Sequence, residues 1–127
     1  MNCKVLVVDD SKLARMVMAS AFRRLRPDWE LVEATGAAEA LETVSSGNVD
    51  IALIDFNMPG SDGLHLAADL RKLNPQMPIA IISANHQQEV INRTNALGAT
   101  FLPKPVAEQA LRAFSTAATR ELQGAGS

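Results

Sequence analysis

Two carboxylates stand side by side where the first apolar run of the chain ends: Asp9 and Asp10 follow Val5-Leu6-Val7-Val8. Adjacent carboxylates repel each other and resist burial, so placing them against a buried strand calls for an offsetting cation. A third carboxylate, Asp55, ends the run Ile51-Ala52-Leu53-Ile54. Ser83 ends Ile79-Ala80-Ile81-Ile82, and Lys104 follows Ala99-Thr100-Phe101-Leu102 at a short distance. Three carboxylates on loops suit a hard cation such as Mg²⁺, which takes one or two of them and keeps waters and substrate oxygens as well. Lys104 can pair with a carboxylate or with a phosphoryl oxygen, and Ser83 can donate a hydrogen bond to that same oxygen. Together these are the parts of a phosphoryl-transfer site, where positioning and charge neutralisation do most of the chemistry.

For these residues to meet, the runs before them must be neighbouring strands. Five short runs read as strands, the four above that begin at Val5, Ile51, Ile79 and Ala99 together with Glu30-Leu31-Val32-Glu33; three are apolar throughout, as strands covered on both faces are. Between them lie segments with helical spacing. The clearest is Leu13, Ala14, Val17, Met18, Ala21, Phe22 and Leu25, a single apolar stripe whose opposite face carries Lys12, Arg15, Arg23 and Arg24. A second helix is read through Ala37, Ala40, Leu41 and Val44, and a third from Leu66 to Leu73 before Pro75 and Pro78. A fourth spans Gln87 to Leu97 with Gly98 as its cap, and a fifth follows Pro105 through Ala107, Leu111, Phe114 and Ala118. Strict alternation with right-handed crossovers predicts a doubly wound α/β domain, with its site beyond the carboxyl ends of the strands.

Composition agrees with one such domain: 127 residues, 47% hydrophobic and 20% charged. With 12 basic and 14 acidic residues the net charge is −2, which gives no general attraction to nucleic acid or anionic lipid. Cys3 is the single cysteine, cannot form an internal disulfide, and fits a reducing cytoplasm. No uninterrupted apolar segment approaches the roughly 18 residues of a membrane span, so membrane insertion is not expected. The domain is read over residues 1–122 and a flexible tail over 123–127, Gln123-Gly124-Ala125-Gly126-Ser127.

The ordered segments "VLVVDDSKLAR", "IALIDFNMPGSDGL", "IAIISAN" and "GATFLPKP" resemble the receiver domain of two-component response regulators, in particular the single-domain chemotaxis type. The resemblance covers residues 4 to about 120. It implies a five-stranded parallel sheet of flavodoxin-like order 2-1-3-4-5, the order that a chemotaxis receiver adopts. It implies that Asp55 accepts a phosphoryl group from a phosphohistidine on a sensor histidine kinase or histidine phosphotransfer protein. Asp10 and Asp55 would ligate Mg²⁺ directly, Asp9 largely through water, and the Asn57 backbone carbonyl would complete the protein's share. Lys104 would contact the phosphoryl group, and the bond before Pro105 would be cis. Ser83 would move toward the new acceptor oxygens and Phe101 would fill the space opened, where the family often has Tyr. Output to a downstream target protein would use the fourth helix, fifth strand and fifth helix, roughly Gln87 to Asn95 and Phe101 to Arg112. A phosphorylation-dependent dimer stays open.

Each position also has a plainer reading. Asp9, Asp10 or Ser11 could cap the first helix; Ser83 and Lys104 could be a loop serine and a solvated lysine; Phe101 could be core; Trp29 is expected to be half-buried. Gly60 or Gly63 would supply permissive backbone in a turn at Met58-Pro59-Gly60. His65 and His86 are placed away from the strand ends. A flavodoxin-like cofactor binder would want a Gly- and hydroxyl-rich phosphate loop after the first strand, where this chain has acids. A phosphohydrolase would want a second Asp two residues past the nucleophile, where Asn57 stands. The remaining alternatives are a receiver-like module that works without phosphorylation and a receiver excised from a larger regulator.

Overall fold

The computed structural model describes residues 2–125. In chain order the elements are β1 Lys4–Val8, α1 Lys12–Leu25, β2 Glu30–Ala34, α2 Ala37–Ser46, β3 Ile51–Asp55, β4 Asn57–Met58, β5 Ser61–Asp62, α3 Gly63–Leu73, β6 Ile79–Ser83, α4 Gln88–Ala96, β7 Thr100–Pro103 and α5 Glu108–Ala125. The five longer strands are all parallel and lie in the order β2-β1-β3-β6-β7, which is 2-1-3-4-5 when only those five are counted. The expected doubly wound, flavodoxin-like sheet is therefore the observed one. β4 and β5 form a small antiparallel hairpin in which Asn57 faces Asp62 across the strands.

Period-two alternation decides which helices cover which face. Leu6, Val8, Ala52, Ile54, Ile79 and Ile81 pack on one side with Ala40 of α2, Leu64, Leu66, Ala67 and Leu70 of α3, and Val90 of α4. Val5, Val7, Ile51, Leu53, Ala80 and Ile82 pack on the other with Met18, Ala21 and Phe22 of α1 and Leu111, Phe114 and Ala118 of α5. β3 and β6 are buried along their whole length, so the polar residues that end them, Asp55 and Ser83, are buried too.

The apolar stripe of α1 splits. Met18, Ala21 and Phe22 are buried, but Leu13 and Val17, expected inside with them, are 71% and 62% exposed, and Met16 beside them is 55% exposed. The groove that Leu13 and Val17 line with Pro105, Val106 and Leu111 is open, because α5 starts only at Glu108 and no described segment covers it. Trp29 is buried at 8% exposure rather than half-buried. It stacks on Phe22 at 5.8 Å, and the Arg26 guanidinium lies 5.6 Å from its ring. The same guanidinium donates to the Ser115 and Thr116 hydroxyls of α5.

α4 ends as the glycine implies. Gly98 takes φ +68°, its N–H bonds the Asn95 carbonyl at 2.9 Å, and the Ala99 N–H bonds the Thr94 carbonyl at 3.1 Å, a double closure that needs a left-handed residue. Arg71 of α3 adds to it, donating to the carbonyls of Leu97 and Gly98 on one side and of Pro75 and Met77 on the other. At the chain's end α5 continues through Gln123, Gly124 and Ala125, where a flexible tail is expected from the sequence. Gly126 and Ser127 of that expected tail lie outside the described residues. No helix among those described is long and apolar enough to cross a membrane.

Candidate functional site

Asp9 is held from three directions. Its N–H donates to the Ala34 carbonyl of β2 at 3.1 Å, its carboxylate Oδ1 accepts the Ser11 N–H at 2.9 Å, and its carbonyl accepts Arg15 Nη1 at 2.7 Å. Ser11 is the residue that caps α1, its hydroxyl accepting the Ala14 N–H, so Asp9 and Asp10 are spared that task. Asp10 is exposed and Asp55 is only 4% exposed at the end of β3. One carboxylate oxygen each from Asp9, Asp10 and Asp55 fall within 4.8 Å of one another.

Such a cluster is under strain from its own charge. Burial pushes the Asp55 carboxyl above its ordinary pKa; the Lys104 ammonium pulls it back, while the charges of Asp9 and Asp10 raise it, and the net shift is upward. The Lys104 Nζ stands 2.7 Å from Asp55 Oδ1, but the contact is an ion pair without hydrogen-bond alignment, and that buried oxygen has no other partner among the described residues. A buried, under-coordinated carboxylate oxygen beside two further carboxylates is a donor set suited to a hard divalent cation. The residues present therefore fit Mg²⁺.

Lys104 itself is placed by the sheet edge: its N–H donates to the Ser83 carbonyl at 3.0 Å, and the Lys104-Pro105 bond that follows is cis. Ser83 is fully buried, and its hydroxyl accepts the Asn85 N–H at 2.8 Å in the loop after β6. Asn57 opens the β4-β5 hairpin, with its side chain exposed. The turn works through both glycines in different ways. Gly60 takes φ +80°, whereas a side chain at Gly63 would put a Cβ 2.5 Å from the Asp55 carbonyl oxygen. Gly63 lets α3 begin directly against the end of β3, and Asp62 caps that helix by accepting the His65 N–H at 3.0 Å.

Phe101 lies half-buried on the α4 side of β7. Its ring meets His86 edge-on at 5.8 Å, with an interplanar angle of 88°. The placement of His86 away from the strand ends is corrected here: His86 belongs to the loop just past Ser83 and touches the candidate switch residue. Arg15 is the second correction. Placed by sequence on the face of the first helix opposite its apolar stripe, where a solvated side chain is expected, it is 13% exposed at the side chain and joins Glu33 of β2 to the Asp9 carbonyl. A signal exists, since a residue one turn into a helix lies beneath the loop that precedes it, but an arginine on a polar face is indistinguishable by type from its solvated neighbours.

Comparison with known proteins agrees with this geometry. A family model of the response regulator receiver domain matches residues 5–115. The cyclic di-GMP phosphodiesterase response regulator RpfG of Xanthomonas campestris pv. campestris is 32% identical over 116 residues, which are 89% of this chain and 31% of that protein, so the chain spans less than a third of it. Sporulation initiation phosphotransferase F of Bacillus subtilis is 27% identical over 83% of this chain and 84% of its own length. Among solved structures, the response regulator TrrA of Thermotoga maritima in complex with Mg²⁺ and BeF superimposes with a TM-score of 0.80 and 25% identity, covering 91% of this chain and 98% of that one. With the sheet order, the acidic cluster at the strand ends and the family match in agreement, the chain belongs to the receiver domains of two-component response regulators.

Proposed function

We propose that this receiver is a phosphorylation-dependent signalling switch in which Asp55 is the phosphoacceptor. The observation that carries the proposal is the Asp55 carboxylate itself: buried at the end of β3, 2.7 Å from the Lys104 ammonium and within 4.8 Å of the Asp9 and Asp10 carboxylates. Asp9, Asp10, Asp55 and the Asn57 carbonyl would hold Mg²⁺, which supplies charge neutralisation for the phosphoryl oxygens. The relative TrrA, solved with Mg²⁺ and BeF, supports that assignment.

An Asp55 carboxylate oxygen attacks the phosphorus of a phosphohistidine. The N–P bond breaks, its electron pair returns to the imidazole nitrogen, and that nitrogen takes a proton from solvent. Lys104 leaves Asp55 for the incoming phosphoryl oxygens, a charge-assisted contact. Water later attacks the acyl phosphate and restores Asp55 with release of inorganic phosphate, so the protein promotes its own resetting and is no enzyme acting on a separate substrate. The Ser83 hydroxyl, which donates to the Asn85 carbonyl at 3.4 Å, turns that O–H to a phosphoryl oxygen, the loop bearing His86 shifts, and Phe101 follows it.

The donor is a sensor histidine kinase or a histidine phosphotransfer protein, and a cytoplasmic site of action goes with that partner class. Its docking surface includes Leu13, Met16 and Val17, apolar and exposed on the helix that leads away from Asp9 and Asp10. Output passes to a downstream target protein through α4, β7 and α5. The test is intact mass after incubation with Mg²⁺ and acetyl phosphate, beside Asp55→Asn. A Mg²⁺-dependent gain of one phosphoryl group that the variant lacks is expected. A folded wild-type protein that gains none where a control receiver reacts would leave a phosphorylation-independent interaction module instead.

A further inference from the structure

We infer that Arg15 is a positioning residue for the metal-binding loop, anchored by Glu33 so that its guanidinium fixes the Asp9 backbone and with it the acidic cluster. The inference rests on the Mg²⁺ reading of that cluster. Nε of Arg15 donates to Glu33 Oε1 at 2.8 Å, while Nη1 donates to the Asp9 carbonyl at 2.7 Å. One planar fork thus spans β2, α1 and the loop after β1. The Arg15 side chain is 13% exposed, so its bond to the Asp9 carbonyl is largely shielded from water, while the Glu33 end of the fork, 49% exposed, stays partly solvated.

Geometry explains why the fork matters to the cluster. The Asp9 N–H is already set by Ala34 of β2, and Glu33 is the residue before Ala34. Arg15 therefore ties the carbonyl of Asp9 to the same strand that holds its N–H, and the peptide on each side of the Asp9 Cα is immobilised. A carboxylate carried on a fixed Cα, with Oδ1 further held by the Ser11 N–H, is presented to Asp10 and Asp55 without an ordering cost at binding. Lysine cannot take this part, because one ammonium on a flexible stem does not reproduce two diverging N–H bonds.

Positioning and simple electrostatics predict opposite signs. Arg15 is a cation near three carboxylates, so if charge alone mattered its removal would tighten Mg²⁺ binding. If it positions Asp9, removal weakens binding, on the order of 10-fold, as is usual for groups that orient metal ligands.

The experiment is calorimetric titration of Mg²⁺ into wild type, Arg15→Met, Arg15→Lys, Glu33→Ala and Glu33→Gln, well below each protein's unfolding temperature. Circular dichroism establishes that each variant is folded. Expected are weaker Mg²⁺ binding in Arg15→Met and Arg15→Lys, a smaller loss in Glu33→Ala, and near wild-type binding in Glu33→Gln, whose amide oxygen still accepts from Nε. The Arg15→Met and Glu33→Ala losses should be less than additive when combined. A merely structural role would lower the unfolding temperature and leave the affinity of the folded protein unchanged. Unchanged or tighter binding in Arg15→Met, or full retention in Arg15→Lys, overturns the inference; should Arg15→Met not fold, Glu33→Ala against Glu33→Gln decides by the same criterion. Absence of Mg²⁺ binding in wild type overturns the metal reading and this inference with it.

Discussion

The Lys104 ammonium meets the Asp55 carboxylate at 2.7 Å, yet Asp55 is 4% exposed and the Lys104 side chain 36% exposed. The pair is asymmetric: the acid is fixed in the sheet, and the base reaches it from a partly solvated position. Removing the acid leaves a lysine that water can solvate. Removing the lysine leaves a buried carboxylate without its cation.

Lys104→Met should slow phosphorylation and, in Mg²⁺-free buffer, also destabilise the fold, because the Asp55 carboxylate is then buried without its cation. The lost group is a preorganised cation at the position where phosphoryl charge develops, and such donors are worth on the order of 10²-fold in rate. Initial rates of mass gain with acetyl phosphate at saturating Mg²⁺ provide the check. A rate near wild type would remove Lys104 from the site.

Asp55 also sets a pH dependence whose sign is opposite to that of a salt-bridged surface acid. Its folded pKa lies above the ordinary 3.8, so between that value and the raised one the native state holds a proton that the unfolded chain has released. The stability linked to that proton is present at low pH and is lost as pH rises through the window. In Mg²⁺-free buffer Asp55→Asn should be more stable than wild type at pH 7, with the gap closing as pH falls toward 4. Urea unfolding at several pH values measures it.

Mg²⁺ should reverse that order. A ligand that binds only the folded chain adds about 2.7 kcal/mol at a hundred times its Kd, which for a domain of this size is roughly 10 °C in Tm. Wild type should gain this stabilisation, and Asp10→Ala, which keeps Asp55 but loses a proposed ligand, should gain much less. Thermal scans with Mg²⁺ and with EDTA separate the two.

Gly63→Ala tests how closely α3 is built onto the site. The added Cβ would start 2.5 Å from the Asp55 carbonyl oxygen and 3.0 Å from the Phe56 Cα, both backbone atoms that cannot swing aside. A loss of roughly 1–3 kcal/mol is expected from such overpacking, together with slower phosphorylation as the β3 end shifts. A variant as stable and as reactive as wild type would mean that the hairpin yields freely.

Which parts are legible in the sequence follows from how local their causes are. β1, β3 and β6 are short apolar runs with a polar residue at the end, and that pattern both makes a buried parallel strand and marks the site: Asp9, Asp55 and Ser83 stand out for this reason. The Gly98 cap is legible because a left-handed residue is a backbone demand on a single position. Leu13 and Val17 mislead because helical periodicity tells which residues share a face, while how far the neighbouring helix extends decides whether that face is covered. Arg15 and His86 escape sequence reasoning for a related reason. Their partners, Glu33 and Phe101, are 18 and 15 positions away along the chain, and nothing in composition or spacing signals a pairing that only sheet order creates.

The two ends of α4 are fastened unequally. At its carboxyl end the Gly98 closure and four carbonyl bonds from Arg71 lock the last turn to α3 and to the start of β6. At its amino end Gln87 makes no side-chain cap, and only Val90 and Thr94 of the helix are buried. Amide hydrogen exchange along α4 should thus form a gradient, fast near Gln88 and slow toward Ala96, because local opening starts where the least must break. The helix is a cantilever, rooted at the end remote from the loop after Ser83 and held at the other by Val90 as the one buried side chain of its first turn, so a small displacement of that loop tilts its tip with little disturbance at the root.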